Sequence, residues 1–369
     1  MGIRFDITRR QFIRTGLVLG STVMLSAPLA RFISPAAASL SSVPVVDRLK
    51  ITTVTDSYYD MLAPNLSLPM GVEVQRRRGH MSGEHGLALF IESGRGDETK
   101  KVMLDFGWTP EVYLRNLDQL GLDAAGVEAF VVSHGHNDHY GGLMGLLNDR
   151  RDAMAPQIPL YVGGDDALCM RWVGPADARA EMGRLDADGI KEAGVDIIKA
   201  ENGAVVAGHG FTTGVIDRSS IEQTLPNTVV EVGHGCTGDQ HRAHFTAEEL
   251  QGNFLFDHHW GEHATAYHVR NRGLVVTTSC GHAGVINSVR QAQRVSGIEK
   301  VHAVMGGFHL SPAAPDYVEQ VVNALIDDVN PDYVIPMHCS GANFEYVLSQ
   351  KYPDRLIKSY VGTHIIFGA

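Results

Sequence analysis

Apolar residues in this chain of 369 residues gather into short dense runs separated by Gly, Pro, Asn and Asp, the punctuation of alternating strands and helices. Lys50 to Tyr58 and Leu87 to Ser93 read as strands, and the second runs through Gly94-Arg95-Gly96-Asp97 into Lys101 to Asp105, which predicts a hairpin. Pro110 to Leu120 carries helical spacing behind a proline suited to a first turn. Val127 to Ser133 is a dense strand that delivers the chain to His134, and Gly142 to Leu147 suggests a helix for which Asn137 or Asp138 is the cap. Ile158 to Val162 begins the next strand. The last third alternates most clearly, with strands at Thr265 to Arg270, Leu274 to Thr278, Val301 to Met305 and Tyr333 to Pro336, and helices at Ala283 to Ser296 and Asp316 to Val329. This order predicts an α/β fold with right-handed crossovers and helices covering the sheet. Residues 165–252 are more polar and read as fold elements mixed with an insertion near the site mouth; no internal repeat occurs.

With 44% hydrophobic and 20% charged residues the chain has enough apolar surface for a core and no disorder signature. Its formal charge of -11 argues against nucleic acid as a partner, because phosphate contacts need concentrated Lys and Arg. The one obvious basic run, Arg76, Arg77 and Arg78, reads as a solvated strand end.

The first residues are set apart from the fold. Thr8-Arg9-Arg10-Gln11-Phe12-Ile13 is a twin-arginine pattern, followed by an apolar run from Gly16 to Ala30 and the small residues Ala36-Ala37-Ala38. Residues 1–38 are therefore expected to be a Tat-type signal peptide, recognised by the Tat translocase and cleaved near Ala38, leaving a periplasmic or secreted protein. The apolar run is shorter than the roughly 20 residues that span a bilayer, so no stable membrane anchor is expected. Residues 45–369 are expected to form the functional domain. Cys169, Cys236, Cys280 and Cys339 are compatible with disulfides in an oxidising compartment, but their wide spacing matches no small disulfide scaffold. Cys280 and Cys339 adjoin candidate metal histidines and are expected near the site.

His134-Gly135-His136-Asn137-Asp138-His139 places three imidazoles and a carboxylate in six residues at a strand's carboxyl end, a density that packing does not explain. His134 and His136 can serve one cation and Asp138 with His139 a second. Imidazole and carboxylate suit zinc, iron or manganese. Two ions about 3.5 to 4 Å apart would share a hydroxide.

This motif, followed by Gly141-Gly142-Leu143 and preceded by Asp105-Phe106-Gly107, resembles the signature of the metallo-β-lactamase superfamily. The resemblance implies an αββα sandwich of two β-sheets flanked by helices, and a divalent metal, zinc first, as one or two ions. A narrower likeness to the dihydropterin/ribofuranosylaminobenzene-phosphate synthase-like branch rests on Glu84-His85-Gly86-Leu87, Ser279-Cys280-Gly281-His282-Ala283-Gly284-Val285-Ile286-Asn287, Gly306-Gly307-Phe308-His309-Leu310 and His338-Cys339-Ser340-Gly341. It implies His338 as the last ligand of the second metal and His282 as the ligand completing or bridging the first. Where the superfamily has a bridging aspartate this chain has Cys280 and His282, so the bridge is open.

His309 is a candidate ligand, substrate donor or orienting histidine, and Cys280 either a thiolate ligand or a small buried hydrophobe. Asp257-His258-His259-Trp260-Gly261-Glu262-His263 is a second cluster, from which Asp257 or Glu262 could supply the missing carboxylate. His234-Gly235-Cys236 with His241 and His244 reads as a loop. Asp105 is expected to orient the motif loop rather than bind metal. The chemistry these readings imply is hydrolysis of an ester, lactone, phosphoester or amide-type bond in a small-molecule substrate by a metal-bound hydroxide. Asp138 would orient water or accept a proton, and His309 stabilise negative charge. The alternatives are an iron-dependent oxidoreductase on the same scaffold, a synthase-like member, or a metal-binding protein without catalysis. No Gly-x-Ser-x-Gly elbow favours a serine hydrolase.

Overall fold

A computed structural model describes residues 39–231, 233–236 and 254–368. The expected signal segment and the pair His241 and His244 lie outside the described residues. Among the described residues the strands form sheets of nine, seven and four. The nine-stranded sheet runs in the order Val195–Lys199, Ile158–Val162, Val127–Val132, Glu98–Leu104, Ala88–Arg95, Arg48–Thr55, Thr363–Gly368, Val72–Arg76 and Leu66–Leu68. The seven-stranded sheet runs Ala204–Val206, Gly210–Thr212, Thr265–Val269, Gly273–Thr278, Val301–Gly306 and Tyr333–Pro336, with Val45–Val46 beside Thr265–Val269.

The pleat sends successive side chains to opposite faces, and the core records it. Leu89, Ile91, Val102, Leu104 and Val131 join Tyr267, Val275, Met305 and Ile335 in one buried layer, so the two large sheets pack face to face. Their sequence neighbours Phe90, Met103, Phe130 and Val132 lie on the outer face with Leu117 and Leu146 of the helices Pro110–Leu120 and Leu143–Arg150. On the far side Val276, Val304 and Val334 pack with Val289 and Val321 of the helices Val285–Ser296 and Pro315–Ala324. The result is the expected helix, sheet, sheet, helix sandwich.

Local signals set the element ends. Thr109 caps Pro110–Leu120 by accepting from Val112 N–H, and Gly121 closes it in the left-handed region at φ 63°. The first strand stops at Thr55, short of the expected Tyr58, where the Asp56 carboxylate turns to the backbone N–H groups of Ser57 and His338. The helix expected to Val329 changes at Leu325 to wider π spacing. There Asn330 N–H bonds to Leu325 O at 3.2 Å, an arrangement in which Leu325, Ile326 and Val329 all stay buried.

The polar stretch supplies Val195–Lys199 and Gly210–Thr212 to the large sheets. It also builds most of the small sheet, in the order Ala180–Gly183, Met170–Val173, Thr228–Glu231 and Phe254–Phe256. A disulfide between Cys169 and Cys236 ties this sheet to its neighbouring loop. Arg77 and Arg78 are exposed at the end of Val72–Arg76. Among the described residues no helix is long and apolar enough to cross a membrane.

Candidate metal centre

The motif loop leaves Val127–Val132 at Ser133, and Asp105 at the end of the adjacent strand holds it. Asp105 Oδ1 accepts from Ser133 N–H at 2.8 Å, and its Oδ2 accepts from Ser133 Oγ at 2.8 Å and lies 2.7 Å from His139 Nδ1. Hydrogen counting then fixes both imidazoles. His139 donates from Nδ1, leaving a lone pair on Nε2. The single Ser133 hydroxyl hydrogen is used on Asp105, so at its 3.0 Å contact with His134 Nδ1 the serine accepts, and His134 Nε2 likewise carries a lone pair. Both Nε2 atoms are buried without a hydrogen bond, and His139 Nε2 lies 3.8 Å from Asp138 Oδ2.

His136 is set by the same logic from the other side. Thr228 Oγ1 donates to Asp257 Oδ2 at 2.7 Å, so it accepts from His136 Nε2 at 3.0 Å and frees His136 Nδ1. Asp257 Oδ2 also accepts from Arg171 Nε at 2.7 Å, and Arg171 is wholly buried. Sequence reasoning offered Asp257 or Glu262 as the missing carboxylate, and the structure corrects both. Asp257 stands behind His136, engaged with Arg171 and Thr228. Glu262 accepts the backbone N–H groups of His282 and Ala283 at 2.9 and 2.6 Å, fixing that loop.

The distal histidines converge on this loop from other strand ends. The His282 ring lies 4.9 Å from that of His134 and 4.8 Å from that of His136, and His338 lies 4.9 Å from His139, centroid to centroid. Asp138 Oδ2 is 3.3 Å from His338 Nε2 and 3.3 Å from His85 Nε2. His309 packs on His282 at 4.1 Å, and Cys280 Sγ lies 3.6 Å from its Nδ1. All seven residues singled out from the sequence, His134, His136, Asp138, His139, His282, His309 and His338, are therefore neighbours. Sequence reasoning expected Cys339 near the site and quoted His85 in a family motif without giving either a ligand role, and left His259 inside a cluster without one. The His259 ring stacks on His282 at 3.8 Å, and no ring nitrogen of either residue makes a hydrogen bond, although His259 Nδ1 lies 3.4 Å from Asp257 Oδ1.

Ligand atoms of His136, His259 and His282 lie within 4.8 Å of one another, as do those of His134, Cys280 and His282, of His139, Cys280 and His338, and of His85, Asp138 and His338. Burial pushes the pKa of His134, His136, His259 and His282 below the usual imidazole range. They are therefore neutral at pH 7, the form a cation binds. Burial would raise the Asp138 carboxyl, but the imidazoles of His139 and His338 more than offset it and hold it low, so Asp138 is ionised. Unpartnered lone pairs and a carboxylate converging in a buried pocket fit divalent cations. With a cation absent, so many orphaned polar atoms would each carry a desolvation penalty of about 1–3 kcal/mol.

Residues 82–215 match the family model of the metallo-beta-lactamase superfamily, whose members typically bind divalent metals. The chain is 22% identical over 336 residues to a 7,8-dihydropterin-6-methyl-4-(beta-D-ribofuranosyl)-aminobenzene-5'-phosphate synthase of Methanocaldococcus jannaschii, covering 89% of this chain and 100% of that one. An uncharacterized protein of the same organism is 22% identical over 271 residues, 72% of this chain and 88% of that one. A crystal structure described as a metal-dependent hydrolase of the beta-lactamase superfamily superposes with a TM-score of 0.61 at 19% identity, covering 86% of this chain and 98% of the other. The chain has the fold of the metallo-β-lactamase superfamily, and its residues 82–215, which contain the motif loop, match that family's model.

Proposed function

We propose that this protein is an exported metal-dependent hydrolase acting on an ester, lactone, phosphoester or amide-type bond of a small molecule, with zinc as one or two ions and iron or manganese as the other candidates. The observation that carries the reading is the convergence of unpartnered lone pairs from His134, His139, His259 and His282 beside an ionised Asp138. Bound there, cations would supply Lewis acidity and lower the pKa of water.

The chain's own residues supply the remainder. Asp138 would orient water and accept its proton. His282 and His309 form one wall of a small open pocket that Glu222, Phe308, Leu310 and Tyr317 help to line, and a substrate would approach the centre from there. A His309 ring N–H facing that pocket would donate to negative charge developing on the substrate. The twin-arginine segment and the Cys169–Cys236 disulfide support Tat export to a periplasmic or extracellular, oxidising compartment.

Elemental analysis of the mature protein, followed by a panel of ester, lactone, phosphoester and β-lactam substrates with and without chelator, tests the proposal. Cleavage that chelator abolishes and His134→Ala eliminates is expected; full metal loading with no cleavage would sink it. The second reading, synthase chemistry, is favoured by the likeness to the archaeal synthase over that protein's full length, and joining of a dihydropterin to a ribofuranosylaminobenzene phosphate without net hydrolysis would select it.

A further inference from the structure

Two sulfurs lie beside the histidine centre, and the hydrolase reading uses neither. Cys280 and Cys339 are free and buried, with Sγ atoms 3.2 Å apart although 59 residues separate them in sequence. His309 completes a triangle. Its Nδ1 is 3.6 Å from Cys280 Sγ, its backbone N–H points to Cys339 Sγ at 3.3 Å, and its backbone is held at φ 47°, a conformation disfavoured for a residue with a Cβ. The strand ends are pared down to bring the sulfurs in, since a Cβ on Gly307 would stand 2.8 Å from Cys339 Sγ. An apolar filling role needs none of this convergence, because a lone buried thiol packs as a small hydrophobe.

We propose that Cys280, Cys339 and His309 form a thiol-rich cation position contiguous with the histidine centre, taking a thiophilic ion such as Zn²⁺ or Cu⁺. Ligand atoms of the three lie within 4.8 Å of one another. Thiolate and imidazole donors select such ions over Mg²⁺ or Ca²⁺. Metal–sulfur bonds of about 2.3 Å at a tetrahedral angle set two sulfurs about 3.8 Å apart, so the pair opens by only about half an ångström to hold an ion. Binding releases the two thiol protons to solvent. Cys280 is also within ligand distance of His134 with His282, and of His139 with His338. Its thiolate would then join the two centres where the superfamily places a bridging carboxylate. Nδ1 of His309 would be occupied, leaving only its other ring nitrogen for substrate.

Cys339 and His309 belong to the thiol-rich group alone, so they separate it from the histidine centre. The full mature chain, stripped with chelator under reducing conditions, is titrated with Cd²⁺ while the sulfur-to-cadmium ultraviolet band is followed. Elemental analysis of the protein as isolated then distinguishes zinc from copper. Cys339→Ser should bind one equivalent fewer than wild type and lose about half the band. His309→Gln, a milder change at a half-buried position, should weaken that equivalent more than about tenfold, the low end of what removing even a partner of a ligand does. His134→Ala should leave the band in place. Equal stoichiometry and equal band intensity in wild type and both variants would overturn the proposal. So would a metal-free isolated protein whose mass under non-reducing conditions shows Cys280 joined to Cys339, which would make the pair a redox element instead.

Discussion

Asp105 Oδ2 stands 2.7 Å from His139 Nδ1 while the same carboxylate holds Ser133, so one buried acid sets the ring orientation of two histidines in the motif loop. Asp105 belongs to no candidate ligand group among the described residues and acts through His139 and His134. Asp105→Ala should leave the fold intact and lower metal affinity about 10–100-fold, the usual effect of removing a ligand's hydrogen-bond partner. Competition against a chromogenic chelator reads this directly, and unchanged affinity would show that the loop needs no such anchor.

His259 makes a contrasting case, since it offers its ring to the centre itself. With neither ring nitrogen in a hydrogen bond, its ring stacked on His282 and a ligand atom grouped with His136 and His282, it would serve as a third imidazole for a cation there. His259→Ala should reduce metal content by one equivalent and cut affinity at that position by more than the roughly 10–100-fold expected for an indirect partner. Full retention of metal would return His259 to a packing role.

What the sequence shows and what it hides follow from this difference. The motif loop is read easily because its donors are consecutive and because Val127–Val132, a dense apolar run, aims them. The sandwich is legible because alternate residues such as Leu89 and Phe90 face different apolar layers, leaving runs such as Val127–Val132 apolar on both faces. His259 arrives from a loop at φ 53°, with no periodicity to place it. His85 sits in a motif that gives it no role by itself, and its place follows from Gly86, where a Cβ would stand 2.6 Å from Asp138 O, an approach that exists only in the folded chain. Asp257 misleads for the mirror-image reason. A carboxylate beside histidines in sequence is drawn off by Arg171 and Thr228, which come from strands of the small sheet.

Gly141 tests how tightly the motif loop is packed. A Cβ there would stand 1.9 Å from Trp108 O and 2.7 Å from Asn137 O, both backbone atoms that cannot swing away. Gly141→Ala should therefore push the His139 turn away from the Asp105 strand, destabilising the protein by about 1–3 kcal/mol, as overpacking does. It should also reduce metal content. Urea unfolding with metal analysis of the folded fraction checks both; wild-type stability and loading would show that the turn shifts freely.

Glu222 gives a pH signature that sits beside the pocket. Its Oε2 accepts Ser220 Oγ and the backbone N–H groups of Ile286 and Asn287, yet burial dominates and pushes its pKa from the ordinary 4.5 up to about 7. Between pH 4.5 and 7 the unfolded chain releases this proton while the folded chain keeps it. The folded state thus binds more protons, and stability from this group is fully present below pH 4.5 and declines as pH rises to 7. The decline should run at up to about 1.4 kcal/mol per pH unit and level off above pH 7. Glu222→Gln keeps an acceptor for the helix N–H groups without the titration. Denaturant midpoints of the two proteins should therefore diverge steadily from pH 4.5 to 7, with the glutamine variant more stable at the alkaline end. Parallel profiles across that window would show that the carboxyl is hydrated and ionised in the folded protein, and that the pocket wall it forms is open to water.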